Sequence, residues 1–209
     1  MNAVAQASMT VDHTDVRYLV RGAVKIGLLT ATTVFVFSLV SRFTDGTLMT
    51  ALETVILLAG LSGVVLLPGI WTNPRTVEGI AGAAAIGLGA TFIYMMLDVS
   101  LLQNIGTYTD RWRAIGGGSN WWWHPVWWML GTYLCWFGAF AQSNQAVRRG
   151  AARPAVVMVL GVAYALLLGV IANLIHFPAA EWSMPTFAVA FIPGLALTVL
   201  TTALAPKRV

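Results

Sequence analysis

The chain has 209 residues, 58% of them hydrophobic and only 10% charged, where an ordinary soluble domain carries about 25% charged residues. That balance, with a mean hydropathy of +0.76, excludes a water-soluble globule. The net charge of +4 comes from twelve basic residues scattered between apolar runs, which build no groove-sized patch and exclude nucleic acid as a partner. With one cysteine, Cys135, and three histidines, neither an internal disulfide nor a zinc finger can form.

A membrane-crossing helix needs about 20 mostly apolar residues. Six stretches meet that length: 22–40, 49–70, 79–102, 125–141, 155–175 and 185–205. Their length without alternation predicts helices rather than barrel strands, because in hydrocarbon each backbone amide must be paired within the segment. The predicted fold is an all-α polytopic membrane bundle, a single domain over residues 1–209. The first span reads as an uncleaved helix, since Arg17, Arg21 and Lys25 follow a stretch without Lys or Arg and no short apolar core ends at a cleavage site. In span three, Ala83 with Gly87 and Ala85 with Gly89 place small residues four apart, which predicts close helix packing near the bundle centre. Pro193-Gly194 within span six predicts a kink. Between spans three and four, residues 103–124 form a long Trp-rich loop.

An even number of spans puts both termini on one side. That side holds nine basic residues, among them Arg17, Arg21, Arg75, Arg148 and Arg153, while Arg42, Arg111 and Arg113 fall opposite. The excess marks the terminal side as cytoplasmic. The short loops fit the plasma (inner) membrane of a bacterium.

On this topology Glu53, Asp98, His124, Asn173 and His176 come to similar depth in the external leaflet. Ionisable groups within membrane helices are costly and face the bundle interior or water, so they are candidates for function. Glu53 and Asp98 are carboxylates suited to a transported cation or proton, or to pairing with a nearby arginine. His124 and His176 end neighbouring antiparallel spans and, with Asp98, suit a metal; with Asn173 as an orienting group, they suit heme. Seven of the nine tryptophans are external, and five lie within residues 121–128. They fit an interfacial belt, or a flat platform in which Trp123 and Trp127 flank a cofactor. The cofactor stays open between heme, a quinone and copper. The tryptophan-rich external loop between histidines resembles the layout of heme-handling membrane proteins of cytochrome c maturation. Their Trp-Trp-Asp signature is missing, since His124-Pro125 follows the tryptophans here.

The chain has no Walker loop, no H-E-x-x-H, no G-x-S-x-G and no Cys-x-x-Cys. No lysine lies deep in a span, which excludes a retinal Schiff base. Three readings follow. The first is a multi-pass subunit of a larger energy-transducing or electron-transfer complex, with other membrane subunits as partners and a cofactor or partner site at the external leaflet. The second is a small-solute or ion transporter or channel using Glu53 and Asp98. The third is a membrane-embedded enzyme on a hydrophobic substrate, with Asp98, Asp110 or His124 as acid or base; no catalytic spacing singles out a residue.

Overall fold

The computed structural model describes residues 15–108 and 124–207, apart from the side chains of residues 124, 125 and 127. Expectations for the loop through Asp110, Arg111, Arg113 and Trp121–Trp123 therefore lie outside the described residues, as do those for the side chains of His124 and Trp127.

Among the described residues the secondary structure is entirely helical. The elements are α1 (Val16–Phe43), α2 (Gly46–Thr72), α3 (Val77–Leu97) continued by a π-helical turn (Asp98–Leu102), α4 (His124–Arg149), α5 (Pro154–Leu174) and α6 (Met184–Leu204). Five of them are long and apolar enough to cross a membrane. The sixth, α4, is 26 residues long, which at ~1.5 Å per residue exceeds the thickness of the hydrocarbon core. The chain is a helical membrane bundle.

Local sequence sets the helix ends. The Asp15 carboxylate accepts from the Arg17 amide at 2.9 Å, so α1 starts earlier than the apolar run that predicts it. The Thr76 hydroxyl accepts from Gly79 at 3.2 Å and caps α3. Pro154 and Pro185 occupy first-turn positions of α5 and α6, where the missing amide costs nothing. The fourth helix outruns its predicted end at residue 141 because its polar extension finds partners. Gln142 donates to the Leu66 carbonyl at 3.2 Å, Asn144 to the Val199 carbonyl at 3.2 Å and Arg148 to the Ala205 carbonyl at 2.8 Å.

As its small residues predict, α3 packs against α1, α2 and α4. A Cβ on Gly87 would lie 2.7 Å from the Gly131 carbonyl oxygen, and one on Gly89 would lie 2.9 Å from the Ala23 Cβ. The pair α2–α4 meets around Pro68, which lies inside α2. Proline has no amide hydrogen, so the Val64 carbonyl one turn earlier loses its helical donor. The Cys135 thiol, 0% exposed, donates to that carbonyl at 3.3 Å. At the margin, α5 packs chiefly on α6, and α6 joins the rest through α4. The last helix continues as one element through Pro193.

Candidate functional site

Asp98 is 3% exposed at the start of the π-helical turn. A π turn stacks residues five apart instead of four. The Gln103 amide accordingly bonds back to the Asp98 carbonyl at 2.9 Å, and its side-chain amide donates to Asp98 Oδ2 at 2.8 Å. The chain then turns at Gly106, whose φ of 70° suits glycine. Two contacts hold this turn on α1: the Ser38 hydroxyl donates to the Thr107 carbonyl, and the Arg42 guanidinium donates to the Gly106 carbonyl. The turn thereby carries Tyr108 back over α3, where its hydroxyl donates to Asp98 Oδ1. Tyr94, one helical turn before Asp98, lies with its hydroxyl 3.2 Å from that of Tyr108. Burial, with Tyr94 and Asp98 alongside, raises the Tyr108 phenol above its ordinary pKa, so it stays protonated and keeps donating.

This carboxylate–phenol cluster closes the polar end of a cavity of about 490 Å³, within the usual range of small-molecule sites, ~300–1,000 Å³. Its walls are apolar side chains such as Ile26, Leu61, Leu134 and Phe191, and α1, α2, α3, α4 and α6 all contribute. On α2 the lining residues, between 57 and 64, sit mid-helix; on α3, α4 and α6 they run from near the middle toward the end shared by Asp98, Tyr108 and Met184. That end is the one the basic-residue count makes external. The helices α2 and α6 both line the cavity but do not pack substantially on one another.

The structure separates the residues that the sequence set at one depth. Asp98 lines the cavity, whereas Glu53, buried on α2, is not part of its wall. His176 is exposed and takes a left-handed φ of 53°. The Phe177 amide bonds to the Ala172 carbonyl at 2.8 Å and the His176 amide to Asn173 at 3.2 Å, the Schellman arrangement that ends a helix. Asn173, 8% exposed, donates to the Gly169 and Glu181 carbonyls at 2.9 and 3.2 Å, fastening the α5–α6 connection. Both residues belong to the marginal helix pair, away from the α1–α3 interface that carries Asp98. Among the described residues no group of three His, Cys, Asp or Glu side chains is placed to hold a metal.

Of the tryptophans, Trp128 stacks on Phe92 with centroids 5.1 Å apart and donates to the Met95 sulfur at 2.7 Å, buttressing a cavity residue. Trp182 is exposed at the end that carries Met184, and Trp71 lies under the Lys25 ammonium, 5.4 Å from its centroid, at the other. Sequence reasoning missed Tyr94, Gln103 and Tyr108. Tyr94 carried a signal, four residues before Asp98 on the same helical face; Tyr108 carried none.

Compared with protein-family models, curated proteins and solved structures, the chain matches none of them.

Proposed function

We propose that this membrane protein binds a small amphipathic molecule in the external-leaflet half of its bundle. The apolar part of the ligand lies between α1, α2, α3, α4 and α6, and its polar head meets Asp98. One observation carries the reading: an apolar cavity of about 490 Å³ whose polar end includes a buried carboxylate. A carboxylate at this depth is expensive in lipid and is kept where it meets a partner. The scarcity of contact between α2 and α6 supports access from the bilayer for a molecule already dissolved there. Quinone-class lipids belong to this chemical class.

The test is binding of a decyl-substituted benzoquinol to the protein in lipid nanodiscs, wild type beside Ala188→Trp. Ala188 lines the cavity on α6, and an indole there adds bulk to the cavity wall while leaving Asp98 itself unchanged. Saturable binding by the wild type, lost in the variant while the helical signal is retained, is the expected result. Equal binding by both proteins would place the ligand elsewhere and end the reading.

A further inference from the structure

We infer that the cavity selects ligands whose polar head donates hydrogen bonds, such as an alcohol, phenol or quinol, over the same skeleton bearing acceptors alone. The inference rests on the ligand cavity proposed above and follows from where each polar hydrogen in its wall is spent.

Three threonines line the cavity, and all three turn their hydroxyl hydrogens back to their own helices. Thr30 donates to the Ile26 carbonyl at 2.9 Å, Thr33 to Leu29 at 2.8 Å and Thr91 to Gly87 at 3.0 Å. The Cys135 thiol is committed to the Val64 carbonyl at 3.3 Å. Tyr108 spends its single hydrogen on Asp98. In the 3.2 Å contact between the two phenols, Tyr94 must therefore be the donor. The Met95 sulfur is already an acceptor, facing the Trp128 indole at 2.7 Å.

Among the described residues, what remains toward the cavity is a set of acceptors: threonine oxygens and the carboxylate of Asp98. Both Asp98 oxygens act as acceptors, Oδ2 from Gln103 and Oδ1 from Tyr108, and a carboxylate offers about four lone-pair sites in all. A hydroxyl-headed ligand can donate to this carboxylate in an apolar surrounding, where a charged acceptor makes the strongest hydrogen bonds. A carbonyl-headed ligand sets oxygen against oxygen, or must break one of the existing bonds to obtain a hydrogen. Buried polar mismatches of this kind discriminate more sharply than shape does.

The experiment compares a decyl-substituted benzoquinol with its matched benzoquinone, titrated anaerobically into the protein in nanodiscs, with Ala188→Trp as the blocked reference. The quinol is expected to bind about tenfold tighter, the value of one hydrogen bond to a charged group. Asp98→Asn supplies a donor in place of an acceptor, and the preference should shrink to about threefold or less through a gain by the quinone. Tyr108→Phe, a milder variant, releases the Tyr94 hydrogen and should also raise quinone affinity. Equal or tighter quinone binding by the wild type, with both ligands lost in Ala188→Trp, overturns the selectivity and leaves the cavity standing. Failure of both ligands to distinguish wild type from Ala188→Trp overturns the cavity reading itself.

Discussion

Gly138→Ala tests whether α2 and α4 touch backbone to backbone as the structure has them. A Cβ on Gly138 would overlap the Val65 carbonyl oxygen and would lie 2.8 Å from the Val65 carbonyl carbon. These are main-chain atoms of a fully buried residue, 0% exposed, so no side-chain rotation relieves the clash and the two helices must part. Overpacking of this kind costs ~1–3 kcal/mol, and a main-chain clash belongs at the upper end. Replacing glycine by alanine in a helix contributes about 1 kcal/mol in the opposite direction. The net expectation is a loss of about 2 kcal/mol, or ~4–8 °C in melting temperature for a chain of this size. Cys135 provides the readout, since it is the chain's single cysteine and is 0% exposed. A thiol-reactive dye in detergent reports unfolding as this residue becomes accessible. Ala51→Leu, on an exposed face of α2, controls for the effect of added bulk toward lipid and should melt like wild type. Because helix propensity alone predicts stabilisation, a Gly138→Ala protein melting at or above the wild-type temperature would refute the contact.

The Pro68 compensation predicts that Cys135→Ala destabilises by about 1 kcal/mol, and by less in a Pro68→Ala background where Val64 regains its amide donor; a double-mutant cycle followed by circular dichroism measures the coupling. At His176 the left-handed backbone is what the fold needs, so His176→Gly should melt at or above the wild-type temperature, while His176→Val should fall by about 1 kcal/mol or more. Because the Tyr108 phenol is raised in the folded protein, its contribution is fully present below the unfolded tyrosine value near ~10 and is lost as pH rises above it. Helical ellipticity should therefore fall less steeply above pH ~10 in Tyr108→Phe than in wild type; identical slopes would count against the burial of this phenol. Cysteines placed at Asn104 and Val147, both exposed, should label from opposite sides of the membrane, and labelling from the same side would overturn the bundle's topology.

Helix number and helix placement were legible in the chain because hydrophobic length is a property of short segments. The central position of α3 was legible for a similar reason: small residues at Ala83 and Gly87 allow close backbone approach whatever helix arrives. Asp98 was visible as a costly carboxylate in an apolar run. Its partners were not. Tyr108 reaches it only because a π turn changes the register after Leu97 and because Ser38 and Arg42 of α1 hold the returning turn in place. His176, oriented by Asn173, looked like a partner of His124 by depth, but depth says nothing of lateral position, and the structure gives His176 and Asn173 backbone work at the margin of the bundle. The direction of each hydroxyl hydrogen, on which the character of the cavity rests, depends on the neighbour that accepts it. The sequence thus determined where polar groups sit along the membrane normal, while tertiary packing decided which of them meet, since a membrane sorts residues by depth and leaves their arrangement around the bundle to side-chain packing and hydrogen bonding.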